Sequence, residues 1–238
     1  MLLSNWQFLK ELIIWFFIVI GTLIVQMVND KYGPGVFKDY LLGRYFMPKG
    51  ERRIFMFADI KNATGIAEVL GEQLYFNFLK HFFNDIAPAI MQTRGEVYQY
   101  VGDEVVVTWK MKNGLKKSNA VHCFYQMKAL LERKRAKYIQ AFDVFPEFKV
   151  GYHYGAVTVG ELGKIKRDIA FSGDVLNTTA RIQSICNSKG VDNLASKSFA
   201  DLLVKLPEGL IKRELGAELL KGKTGTIDLV TFEMPSTN

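Results

Sequence analysis

The chain has 238 residues, room for one ordinary domain and an appendage. Hydrophobic residues make up 49% and charged residues 23%, so a core can be buried and little of the chain need be disordered. The net charge is +7, but Lys and Arg are dispersed with no block that reads as a nucleic-acid arm, and the two cysteines, Cys123 and Cys186, form neither a C-x-x-C pair nor a disulfide framework.

Leu12 to Val28 is an uncharged apolar run. At 1.5 Å per residue it spans about 25 Å, the short end of a transmembrane helix. A signal peptide fits less well, because Lys10 is cancelled by Glu11 and no small-x-small cleavage site follows. A buried core helix is the other reading. Lys31, Lys38, Arg44, Lys49, Arg52 and Arg53 follow the run and only Lys10 precedes it. The positive-inside rule then predicts a single-pass protein of the inner (cytoplasmic) membrane, with its C-terminal bulk in the cytoplasm. Residues 1–29 are read as the transmembrane helix, 30–52 as a linker and 53–238 as the main domain. Gly33-Pro34-Gly35 breaks any continuous helix in the linker, and Val36 to Arg44 could form a short one.

In the main domain, Arg53 to Ile60 is an apolar run that carries Asp59 near its end, a predicted buried strand. Apolar residues then recur at helical spacing from Thr64 to Ile90, with Gly71 marking a break between two helices. Glu96 to Trp109 reads as a hairpin with Gly102-Asp103 in its turn. Ser118 to Gln140 reads as one long helix capped by Ser118. Phe148–Tyr154 and Ala156–Leu162 read as two strands separated at Gly155. The order β-α-β-β-α-β predicts an α+β fold with a ferredoxin-like core. Helices near Val175–Ser184 and Ser196–Leu203 and a strand at Thr226–Phe232 complete it.

In that topology the first strand lies beside the hairpin, so Asp59 and Asp103 can meet at one edge of the sheet. Two unneutralised carboxylates at close range repel, and a pair of Mg²⁺ ions resolves the repulsion in a site for nucleoside triphosphates. The plainer alternative is that Asp59 caps the next helix and Asp103 only forms a turn.

Five segments in order carry a resemblance: FADIKNATGIAEVLG (57–71), YQYVGDEVV (98–106), VGYHYGAVTVGELG (150–163), FSGDVLNTTARIQ (171–183) and KGKTG (221–225). Together they resemble the motif set of class III adenylate and guanylate cyclases, from about Arg53 to the C-terminus. The resemblance implies conversion of ATP to 3′,5′-cyclic AMP and pyrophosphate. It implies two divalent metals per site, Mg²⁺ or Mn²⁺, on Asp59, Asp103 and the Ile60 carbonyl. Asn177 would orient the ribose and Arg181, one helical turn on, would bind the α-phosphate. Lys221 would contact the γ-phosphate. Asn62 to Gly65, Thr64 among them, would offer backbone N–H groups to the phosphates. Lys164, Lys166 and Arg167 are candidates for the β-phosphate. In the family the metals come from one protomer and the Asn, Arg and Lys from the other, so a homodimer with two active sites is implied.

The positions that read adenine through a Lys and an Asp in many adenylate cyclases are Gln99 and Ala170 here. A Gln amide both donates and accepts, so ATP is favoured on the family's usual substrate while GTP stays open, and a pyrimidine nucleotide with it. A diguanylate cyclase is a poor rival: its Gly-Gly-Asp/Glu-Glu-Phe hairpin is here Val101-Gly102-Asp103-Glu104-Val105. A catalytically silent nucleotide-sensing module is a second rival, disfavoured because both Asp residues, the Asn, the Arg and the Lys are all present. A P-loop fails because Ala217 stands where the first Gly before Gly222-Lys223-Thr224 is required.

Overall fold

The structure, a computed structural model, describes residues 2–32, 47–165 and 168–235. The chain divides into two units, Met1–Lys49 with Gly160–Ala170, and Gly50–Val159 with Phe171–Asn238. In the first, helix α1 runs Leu2–Tyr32. Its stretch Trp6–Met27 is long and apolar enough to cross a membrane, and its side chains are exposed. Ahead of the apolar run the helix takes in Gln7, Lys10 and Glu11, which are good helix formers. The short helix expected at 36–44 lies outside the described residues.

The second unit holds the larger part of the fold. Strand β1 (Lys49–Ile60) leads into α2 (Ala63–Gln92), the hairpin β2 (Glu96–Val101) and β3 (Glu104–Lys110), and the short α3 (Met111–Leu115). Helices α4 (Asn119–Glu132) and α5 (Arg135–Phe142) precede β4 (Phe148–Leu162) and β5 (Asp168–Ser172), of which Gly160–Leu162 and Asp168–Ala170 belong to the first unit. Then come α6 (Asp174–Ser184), β6 (Asn193–Ser196), the one-turn α7 (Lys197–Ala200), β7 (Ile211–Leu219) and β8 (Thr226–Glu233). The sheet order is β2-β3-β1-β4-β6-β8-β7, with β5 paired to β4. β1 thus lies between β3 and β4, as the expected βαββαβ core requires.

Alternation along β1 explains the layering. Ile54, Met56, Ala58 and Ile60 enter the main core with Phe78, Phe82 and Ile86 of α2, Phe124 and Met127 of α4, and Tyr138 and Phe142 of α5. Phe55 and Phe57 face the other way and pack with Val106, Val157 and Val175. The helices α2, α4 and α5 therefore cover one face, and α6 lies on the other.

The helix expected from Ser118 to Gln140 is two helices, separated at Arg133 and Lys134. Ser118 does not cap α4 with its side chain: it sits at φ 54°, and its hydroxyl donates instead to the Lys205 carbonyl. The break expected at Gly155 is absent, and β4 is continuous. Gly155 is there because Val175 of α6 lies against it; a β-carbon would come within 3.1 Å of the Val175 side chain. Strand β1 begins at Lys49, ahead of its apolar run, because residues 49–52 pair without being fully buried. Strand β6 is only four residues long and β7 is mostly exposed, so neither shows an apolar run of its own.

Trp109 is fully buried, and its indole N–H donates to the Thr93 carbonyl at 3.0 Å. Trp109→Ala should cost about 3–5 kcal/mol. Urea unfolding of the detergent-solubilised chain checks this; an unchanged midpoint would contradict the packing described.

Candidate active site

Asp59 continues the face of β1 that carries Phe55 and Phe57, and the β1–β3 register sets it directly opposite Glu104. The hairpin turn places Asp103 beside them. Gly102 takes φ 61° there, a conformation that a side chain would strain. Three carboxylates therefore gather at one corner of the sheet. Burial raises the Asp103 carboxyl from the ordinary 3.8 to about 6, helped by a hydrogen bond and charge repulsion from Asp59. Burial, then the charges of Asp59 and Asp103, raise Glu104 from 4.5 to about 7. Lys149 on β4 opposes both shifts, and its ammonium lies 3.4 Å from Asp59 Oδ2. The amide of Gln183 on α6 donates to the same oxygen at 2.8 Å. Ile60 is buried in the main core with its side chain turned from this corner.

Glu104, Lys149 and Gln183 were not singled out from the sequence. Glu104 was legible once β1 and β3 are put in register, since it follows the turn directly. Lys149 and Gln183 carry no motif; only the packing of α6 on β4 brings them here.

Helix α6 presents two different faces. Val175, Thr178, Thr179, Ile182 and Gln183 are buried, whereas Asp174 and Asn177 are exposed and Arg181 is half-buried. Asn177 and Arg181 share a face by their spacing. Two residues on from Arg181, Gln183 lies about 160° around the helix. The side chains that expectation aimed at a phosphate thus point away from the side of α6 that touches Asp59. The turn between β7 and β8 closes on this outer face: the Lys223 ammonium pairs with Asp174, and the Arg181 guanidinium lies against Gly222, where a β-carbon would come within 3.3 Å of it. Lys221 stands exposed in the same turn. Asn177, Arg181 and Lys221 thereby form one cationic surface.

The remaining predicted positions fall as follows. Asn62 precedes α2 at φ 53° without a side-chain cap; its amide lies over Gly65, and its carbonyl accepts from the Ile66 N–H at 3.0 Å. Asn62 and Thr64 are both exposed. Gln99 is exposed on β2 opposite Val106, past a register shift between Val97 and Gln99. That irregularity puts Gln99 on the sheet face that carries Phe57 and Asp59. Its neighbour Tyr98 packs edge-on against Phe171, with ring centroids 5.0 Å apart. Ala170, in the first unit, is on β5. Lys164 is exposed between β4 and β5, and Lys166 and Arg167 lie outside the described residues.

The donor set at the acidic corner suits a hard divalent cation. Its side chains offer oxygen, and the one lysine in contact leaves an excess of negative charge. Among the described residues no group of three or more His, Cys, Asp and Glu side chains is arranged to hold an ion. Two carboxylates are enough where substrate phosphates complete the coordination, as in many Mg²⁺ sites.

Residues 48–232 match the family described as the adenylate and guanylate cyclase catalytic domain, and the chain belongs to that family. Among named relatives, Adenylate cyclase 2 of Rhizobium meliloti (strain 1021) is 30% identical over 203 residues, covering 84% of this chain and 55% of that protein. The chain thus spans about half the length of that relative. Adenylate cyclase of Anabaena cylindrica is 26% identical over 184 residues, covering 75% of this chain and 36% of that protein. The solved structure of a bacterial light-regulated adenylyl cyclase shares the fold with a TM-score of 0.73 at 20% identity, covering 90% of this chain and 62% of that one.

The raised carboxyls set a pH dependence for the metal-free protein. Between about pH 4 and 7 the folded chain holds protons on Asp103 and Glu104 that the unfolded chain releases. Stability from this corner should therefore fall as pH rises through that window. Thermal midpoints of the EDTA-treated chain from pH 5 to 8 check this: the double variant Asp103→Asn/Glu104→Gln should show a flatter profile than wild type, and superimposable profiles would contradict it.

Proposed function

We propose that this chain is a nucleotide cyclase that converts ATP to 3′,5′-cyclic AMP and pyrophosphate, working as a homodimer anchored in the cytoplasmic membrane by α1. In this reading residues 1–29 anchor, 30–52 link and 53–238 catalyse, with the C-terminal bulk in the cytoplasm. The observation that carries it is the two-faced α6. Each chain holds an acidic corner and a cationic surface, and Arg181 points away from its own Asp59. A second copy that offers its cationic surface to this acidic corner completes a site, and two-fold symmetry makes two of them.

At such a site the triphosphate lies between the protomers. Asn177 orients the ribose so that the 3′-oxygen stands in line with the α-phosphorus. The bond from that oxygen to phosphorus forms as the bond from the α-phosphorus to the β-phosphate bridging oxygen breaks. The 3′-hydroxyl proton leaves to solvent and pyrophosphate departs. Negative charge builds on the α-phosphoryl oxygens and on the leaving oxygen, and the Arg181 fork meets the first with fixed donors. Lys221 holds the γ-phosphate, and the backbone N–H groups of Asn62 to Gly65, Thr64 included, face the phosphates. A pair of Mg²⁺ or Mn²⁺ ions on Asp59, Asp103 and the Ile60 carbonyl would lower the pKa of the 3′-hydroxyl and neutralise the triphosphate.

ATP is favoured because the relatives above are named adenylate cyclases. A second reading, GTP, rests on Gln99, whose amide can pair with either purine edge, and on Ala170, which offers no polar side chain.

Mixing tests the shared site. Asp59→Ala and Arg181→Ala should each be inactive alone. Co-expressed in equal amounts, they should regain about a quarter of wild-type turnover, since half the dimers are mixed and each mixed dimer keeps one intact site. No recovery from two folded variants would contradict the arrangement. Base choice is tested by Gln99→Lys/Ala170→Asp, which should raise the ATP-over-GTP ratio of kcat/KM by about tenfold or more; an unchanged ratio would remove these positions from the base pocket.

A further inference from the structure

Asp59 is held from one side by an amide that no expectation assigned. Gln183 Nε2 donates to Asp59 Oδ2 at 2.8 Å, and Gln183 is itself 5% exposed. Its position is set by β4. Gly151 lies under the end of α6 so closely that a β-carbon there would meet the Gln183 backbone nitrogen at 2.5 Å and its Cβ at 2.6 Å. One residue earlier, the Val150 carbonyl accepts from Cys186 Sγ at 3.4 Å. Three successive residues of β4 thus support this end of the site: Lys149 reaches Asp59, the Val150 carbonyl takes Cys186 while its side chain enters the main core on the other face, and Gly151 gives Gln183 its seat. The last turn of α6 rests on bare strand backbone, so the reach of Gln183 to Asp59 leaves little play.

We propose that Gln183 is a positioning residue for Asp59, fixing the carboxylate in the rotation that receives a divalent cation. The inference rests on the metal reading above and adds to it the residue that prepares the ligand. The chemistry favours an amide. Lys149 lies on the same oxygen at 3.4 Å, but its charge competes with an arriving cation. A neutral N–H donor holds the carboxylate without opposing that cation and adds no fourth negative charge beside Asp59, Asp103 and Glu104. A residue that merely filled space against Gly151 would not need a donor.

The test uses the full chain in detergent with Mn²⁺ as the probe and no nucleotide, following bound Mn²⁺ by the loss of the free-ion EPR signal. Gln183→Leu keeps the volume and removes the donor. It should weaken Mn²⁺ binding by about tenfold, the lower end of what such outer-shell losses cost. The Mn²⁺ concentration for half-maximal turnover should rise in step, with the urea midpoint unchanged. If Gln183→Leu does not fold, Gln183→Asn keeps the amide but withdraws it by one methylene, and the same loss is expected. Wild-type Mn²⁺ affinity in a folded Gln183→Leu or Gln183→Asn, with binding lost in Asp59→Ala, overturns the role of Gln183 alone. A wild-type chain that binds no Mn²⁺, or Asp59→Ala that binds it as wild type does, overturns the metal reading and this inference together.

Discussion

Negative charge crowded at one corner of the sheet is the constraint around which the molecule is arranged. Asp59 and Glu104 are set opposite each other by the β1–β3 register, and Asp103 joins them from the turn. Lys149 cannot neutralise all three, so burial and mutual repulsion leave Asp103 and Glu104 holding protons well above the ordinary carboxylate range. A fold gains nothing from such a corner by itself, because buried like charges destabilise it. A divalent cation held there, as in the function proposed above, would offset this charge.

The sheet beneath this corner is held by ordinary packing. The alternating residues of β1 send Ile54, Met56, Ala58 and Ile60 into a core closed by α2, α4 and α5, and that core holds the strand whose other face ends in Asp59. The face behind it is sealed by Phe55, Phe57, Val106, Val157 and Val175, so α6 is pressed onto β4 without intervening side chains at Gly151 and Gly155. One helix therefore serves two surfaces. Its inner side steadies the acidic corner, and its outer side, tied to the β7–β8 turn through Asp174 and Lys223, carries the cationic groups. That geometry separates the acidic and cationic groups within a chain, and the homodimer proposed above is the arrangement that brings them together.

Much of this was legible in the sequence where it was local. The apolar run ending at Asp59, the Gly102-Asp103 turn, the break at Gly71, where the backbone leaves helical geometry within α2 at φ 73°, and the i, i+4 pair Asn177/Arg181 all carry signals within a few residues. The failures came where a residue answers to something distant. Gly155 looked like a strand break, but it makes room for Val175. Ser118 looked like a helix cap, but its hydroxyl turns to Lys205. Strand β7 is an exposed edge strand, and no apolar alternation marks it. Gln183 and Lys149 belong to the site only because α6 crosses β4, a contact that no spacing encodes. The register shift before Gln99, which turns that side chain to the sheet face that carries Asp59, is equally invisible in composition or period.

The central claim is that one chain's Asp59 and Asp103 meet another chain's Asn177, Arg181 and Lys221 across a single nucleotide. A crystal structure of the chain with a non-reacting ATP analogue and Mn²⁺ tests it directly. The account predicts the triphosphate bridging two protomers, its phosphates between the acidic corner of one and the cationic surface of the other. A nucleotide held by both sets from the same protomer, or bound away from Asp59, would contradict it.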